Sequence, residues 1–118
     1  MKIKILIPVY NDFQSVSKLI KAINSATCNL DEDFSIIIVN DASTEKTDID
    51  ISNLNKINSI KVINIKNNQG HARCIATGLK HIYENEEFDY VIPMDGDGED
   101  RAEEILKFVE FLKYDNKK

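Results

Sequence analysis

Three things are scarce in this 118-residue sequence. No apolar run comes near the ~20 residues that a helix needs to cross a bilayer, so the sequence carries no membrane-spanning segment. Basic residues are outnumbered: the net charge is −5 and the isoelectric point near 5.0, leaving no basic face to displace phosphate counterions from nucleic acid. Only the stretch from Lys113 to Lys118 is locally basic. Cysteine is limited to Cys28 and Cys74, which have neither the close spacing of a metal motif nor the density of a disulfide scaffold. They read as packed thiols in a reducing, cytoplasmic setting. No repeat, low-complexity tract or linker divides the chain, which is one domain or part of one.

What is present is an alternation of two hydrophobic periods. The start, MKIKILIPVY, combines lysines with an apolar stretch, but that stretch is too short for a signal peptide and lacks a small-residue cleavage site. Residues 3–9 form a first strand ending at Pro8, which is tolerated near a strand's end and not in the middle of a sheet. Asn11 and Asp12 then offer a cap to a helix with Phe13, Val16, Leu19, Ile20 and Ile23 at helical spacing.

Residues 35–39, almost all β-branched, predict a strand covered on both faces, and residues 42–58 a polar loop with a short helix. A third strand is expected at 60–65. The turn Asn67-Asn68-Gln69-Gly70 leads into a helix whose inward side is expected to carry Ala72, Ile75, Ala76, Leu79 and Ile82. A fourth strand at 89–94 and a last helix bearing Ile105, Phe108, Val109 and Leu112 complete the pattern. Alternating strands and helices imply right-handed crossovers, a mainly parallel sheet and a three-layer α/β architecture. Such sheets bind ligands beyond the carboxyl ends of their strands.

The polar residues gather there. Tyr10, Asn11 and Asp12 follow the first strand, Asn40 and Asp41 the second, and Asp95, Asp97, Glu99 and Asp100 the fourth. Carboxylates converging on one crevice repel unless a cation or protons intervene, so the pattern implies a bound metal or raised pKa values, and a metal is the better fit. In extended backbone Asp95 and Asp97 face the same way, while Gly96 keeps the space between them open. Mg²⁺ or Mn²⁺ on one or two carboxylates keeps positions free for diphosphate oxygens and can stabilise charge on a departing diphosphate.

The bland alternative for this D-x-D is a solvated acidic loop capping the next helix; its place after a buried strand, with the other strand-end residues, favours the metal. Asp41 can accept an N–H from a base or serve as a turn residue, and Tyr10 can stack on a base or pack in the core. Gly70 opens a helix whose first N–H groups can attract an anion. His71, in the same turn, reads as a surface histidine before a polar contact. Arg73 can reach a phosphate or pair with an acid.

The segments IPVYND, IIIVNDAST, NNQGHARCIATGL and VIPMDGDGED, in that order, resemble the successive motifs of family 2 glycosyltransferases. The likeness is to the polyprenyl-phosphate sugar transferases related to dolichol-phosphate mannose synthase. It implies a Rossmann-like GT-A fold, of which residues 1–118 would be the nucleotide-sugar-binding, N-terminal half.

The resemblance further implies that Pro8, Tyr10 and Asp12 border the nucleotide, that Asp41 contacts the base, and that Asp95 and Asp97 hold the metal. Glu99 stands where the polyprenyl-phosphate subgroup often has a glutamine that assists the metal. Arg101 and Ala102 replace the two prolines of that subgroup's acidic turn between Asp100 and Glu103.

The expected partners are a nucleoside diphosphate-sugar and a lipid-phosphate or glycan acceptor, with action in the cytoplasm or at the cytoplasmic face of a membrane, or with a partner subunit. The catalytic base is expected in a second half. The competing reading is a non-catalytic nucleotide-sugar-binding module. A receiver-type signalling domain is excluded by Ile65-Lys66-Asn67, which offers no acid after the third strand.

Overall fold

The computed structural model describes residues 1–44, 49, 54–95 and 102–116. Their elements run β1 (Lys2–Val9), α1 (Phe13–Thr27), β2 (Asp33–Asn40), β3 (Ile57–Asn64), α2 (His71–Asn85), β4 (Tyr90–Pro93) and α3 (Glu103–Asn116). The four strands form one sheet in the order β3-β2-β1-β4, and every pairing is parallel. β1 is central, and its ladder with β4 ends at Leu6 opposite Pro93, before Pro8 is reached. Pro8 pairs only with Val39 of β2, so a residue without an N–H sits where the second ladder has already stopped.

The two-residue period of the strands divides the core into two layers. Ile3, Ile5, Ile7 and Val9 of β1 join Phe34, Ile36 and Ile38 of β2 on one face, packed against Phe13, Val16, Leu19, Ile20 and Ile23 of α1 and Ile105 and Val109 of α3. Tyr90 of β4 meets Phe108 of α3 edge to face, ring centroids 5.9 Å apart. On the opposite face Leu6, Ile37 and Val39 pack against Cys74 and Ile82 of α2. The two helix-covered faces and the parallel order are those the hydrophobic periods predict. Among the described residues, no helix is long and apolar enough to cross a membrane.

The element limits differ from the sequence expectation in places. β2 extends to Asp33 and Asn40, and β3 begins at Ile57 and ends at Asn64. As an edge strand β3 leaves most of its positions exposed, so polar residues such as Asn58 and Ser59 are tolerated in it and hide its start from a hydrophobicity pattern. The short helix expected within 42–58 falls mostly outside the described residues, and those that are described there form no helix.

The buried side of α2 differs in part. Ile82 is buried and Ile75 packs partly buried against the core as expected, while Leu79 is 40% exposed, Ala72 and Ala76 face outward, and Cys74 and Gly78 are buried in their place. The reason is close approach. A Cβ built on Gly78 would lie 2.3 Å from Leu6 Cδ1 and 3.0 Å from Val39 Cγ2, so α2 rests on the sheet through its small residues.

Candidate functional site at the carboxyl ends of the strands

The parallel sheet brings the ends of β1, β2 and β4 to one edge. The Asp41 N–H donates to the Val9 carbonyl at 2.9 Å, and the Ile65 N–H to the Asn40 carbonyl at 2.9 Å, so the ladders run right up to the polar residues. Asn40 and Asp41 are 5% and 4% exposed, and such burial demands partners.

Asn40 has them: its Nδ2 donates to Asn64 Oδ1 at 2.9 Å, and its Oδ1 accepts from the Ser43 N–H at 3.1 Å. Ser43 Oγ in turn accepts the Asn11 N–H at 2.9 Å, and Asn11 Oδ1 accepts the Thr44 N–H at 2.7 Å. Asn11 and Ala42 both take positive φ, 51° and 59°. Asparagine tolerates this region and alanine does so less readily, so the turns at the two strand ends are held by tertiary bonds and not by propensity alone. Asn64, Ser43 and Thr44 are members of this network that the sequence reading did not select. Short polar residues in loops look alike until their partners are known.

Asp41 forms a second knot. Its Oδ1 accepts the Gln69 N–H at 2.6 Å and its Oδ2 accepts the Gly70 N–H at 3.0 Å. The Asp41 carbonyl also accepts from Asn68 Nδ2 at 3.4 Å. Beneath the carboxylate lies the fully buried Cys74 thiol, whose pKa is pushed up to about 11 by burial first and then by its hydrogen bond and proximity to Asp41. A thiol held protonated in this way is a donor and not a nucleophile. The expectation of a packed thiol holds for Cys74 and fails for Cys28, which stands at the end of α1, exposed and free.

The remaining site residues are placed as follows. Tyr10 stands at the tip of β1 with 52% of its surface exposed, so it is not a core aromatic. Asp12 caps α1, its Oδ1 accepting the Ser15 N–H at 3.4 Å. Gly70 is the cap residue of α2 at φ 88°, ψ 162°. Arg73 is exposed in the first turn of α2.

His71 Nε2 lies 3.0 Å from Asp95 Oδ1, which joins the start of α2 to the end of β4 and gives His71 a polar contact beyond that of a plain surface histidine. Asp95 is therefore at the same edge as Asp41, both bonded to neighbouring residues of the same helix start. Gly96, Asp97, Glu99 and Asp100 lie outside the described residues. Among the described residues no group of three His, Cys, Asp or Glu side chains is arranged to hold a metal; Asp95 supplies one accessible carboxylate, a donor of the kind a hard divalent ion takes.

A four-stranded parallel sheet with helices on both faces and polar loops gathered at its carboxyl edge is the Rossmann-like GT-A fold, here its N-terminal part. The glycosyl transferase family 2 profile matches residues 4–118, and the chain belongs to that family.

Solved structures of S. aureus TarS agree. TarS 1–349 matches with a TM-score of 0.71 and 24% identity over 97% of this chain and 33% of that one. Its complex with UDP-GlcNAc matches at 0.72 and 24%, over 97% and 32%. Its complex with UDP matches at 0.66 and 25%, also over 97% and 32%. The chain thus spans about a third of the length of these structures.

Proposed function

We propose that residues 1–118 form the nucleotide-sugar-binding part of a glycosyltransferase that passes a sugar from a nucleoside diphosphate-sugar to an acceptor. The observation that carries this reading is the meeting of Asp41 and Asp95 at one end of α2, each bonded to that helix start from a different strand. Family membership and the likeness to TarS, whose complexes hold UDP and UDP-GlcNAc, support it.

In this reading Tyr10, exposed at the tip of β1, lies along the base, with Pro8, Asp12 and Gly70 bordering the nucleotide. Asp41 accepts an N–H from the base edge: an ionised carboxylate has about four lone-pair sites, and the backbone N–H groups of Gln69 and Gly70 take one on each oxygen.

Asp95 stands at the edge assigned to the diphosphate, and the resemblance to the family assigns Gly96, Asp97 and Glu99 to the same role. Mg²⁺ or Mn²⁺ bound by those carboxylates would supply charge neutralisation for the leaving nucleoside diphosphate. His71, 3.0 Å from Asp95 Oδ1, holds that carboxylate at the edge of the site, where it would serve a cation. The acceptor is a lipid phosphate or a glycan, and the free cysteines suit a reaction carried out in the cytoplasm or on the cytoplasmic face of a membrane.

A second reading, a donor-binding module completed by another polypeptide, is favoured by one observation: the chain spans about a third of the TarS structures it matches. Calorimetry with UDP and UDP-GlcNAc, in Mn²⁺ and in chelator, tests the shared part of both readings. Metal-dependent binding that disappears in Asp97→Ala and weakens in Asp95→Asn is the expected result. Binding unaffected by chelator and by both substitutions removes the metal role. Release of UDP from UDP-GlcNAc by the chain alone selects the enzyme over the module.

A further inference from the structure

The carboxylate of Asp41 is held on both oxygens by one short piece of chain. Gln69 and Gly70 donate backbone N–H groups to its two oxygens, at 2.6 and 3.0 Å. The Gly70 carbonyl accepts the Cys74 N–H at 3.1 Å. Gly70 therefore ties the Asp41 carboxylate directly to the first turn of α2. With only 4% of its surface exposed, Asp41 has little freedom to choose its own orientation, and the donors choose it.

This tie depends on an unusual backbone. Gly70 lies at φ 88°, ψ 162°, a region open essentially to glycine alone. A Cβ added there would meet nothing within 4 Å, so the requirement for glycine is one of backbone conformation and not of space. Glycine is at position 70 because its N–H must point at Asp41 while its carbonyl begins α2.

We propose that Gly70 is a positioning residue that acts through Asp41: its backbone conformation, and not a contact of its own with the ligand, sets the direction in which Asp41 meets the nucleobase. This rests on the reading above that Asp41 takes the base, and it redefines the part played by Gly70. The consequence is a separation of effects. Distorting residue 70 turns the carboxylate and is felt by the base, while the diphosphate, held from the Asp95 side of the site, is not affected.

The test is calorimetry with two probes, UDP and inorganic pyrophosphate, each with Mn²⁺, on wild-type protein and Gly70→Ala. Since the added methyl group has open space, the substitution reads backbone strain alone. The expected result is UDP affinity lower by about tenfold with pyrophosphate affinity unchanged. Equal loss for both probes overturns the proposal, because it places residue 70 at the phosphates; unchanged UDP affinity overturns it as well.

Should Gly70→Ala fail to fold, Gln69→Pro removes the neighbouring backbone donor to the same carboxylate. It is expected to weaken UDP and spare pyrophosphate, and an equal loss on both probes again overturns the proposal. Wild-type protein that binds pyrophosphate but not UDP sinks the parent reading of Asp41 and this inference together, whereas normal wild-type binding with an unaffected Gly70→Ala sinks the inference alone.

Discussion

The two ends of the sheet are both polar, and they are polar in different ways. At the amino end charge is paired with charge: Lys2 Nζ meets Glu87 at 2.6 Å in the open, while Lys61 Nζ at 2.9 Å and Lys4 Nζ at 3.8 Å converge on Glu86, whose side chain is only 10% exposed. The pKa of Lys2 is raised and that of Glu87 lowered, each first through their mutual hydrogen bond, and both groups are exposed. At the carboxyl end the polar groups are buried and bonded to the main chain, as with Asn40 and Asp41. Exposed pairs keep a surface wet and contribute little to stability. Buried acceptors on backbone donors fix loop geometry, which is what a binding edge needs.

That contrast is open to attack at four points. The largest effect is expected from Gly78→Val, which drives side-chain atoms into Leu6 and Val39 beneath the carboxyl half of the sheet and should cost about 3 kcal/mol in denaturant unfolding. Asp41→Ala leaves the Gln69 and Gly70 N–H groups without their acceptor and should cost about 2 to 3 kcal/mol by the same measurement. Asn40→Ala breaks the bonds to Asn64 and Ser43 and should cost about 1 to 2 kcal/mol. If either of the last two proves neutral, the carboxyl edge is no more ordered than the amino edge.

The smallest effect belongs to the amino end and is read by pH. Glu86 has a lowered pKa, chiefly through its hydrogen bond with Lys61. A carboxylate depressed in the folded state stabilises the fold above its unfolded value, near 4.5, and loses that contribution as pH falls through the folded value. Glu86→Gln should therefore narrow the stability difference between neutral pH and pH below that point, as followed by thermal unfolding. Titrations of wild type and variant that superimpose would show this end to be electrostatically silent.

Much of the architecture could be read from the sequence because the parallel strands are covered on both sides. The run of isoleucines in β2 and the spacing of Phe13, Val16, Leu19, Ile20 and Ile23 leave few other solutions. On α2 the spacing points correctly to Ile75 and Ile82, but the closest contact is made by Cys74 and Gly78, which carry too little apolar volume to stand out from Leu79. β3 was started late because an edge strand does not need an apolar run.

In the site, the sequence located the strand tips, and with them Tyr10, Asp41 and Asp95, since topology alone puts those positions together. It did not foretell that Asp41 would be tied to Gln69 and Gly70, or His71 to Asp95, because those bonds join segments about 24 to 30 residues apart through turns whose geometry no local pattern encodes.

The seating of α2 on Gly78 has a mechanical consequence. Leu6 fits into the helix there as a peg fits a notch, and a slip of one turn in either direction would set Cys74 or Ile82 against it instead. The close fit at Gly78 opposes sliding of the helix along the sheet. His71 lies seven residues away, about 10 Å along the axis, so the height at which it greets Asp95 is set from the apolar interior, before any ligand arrives.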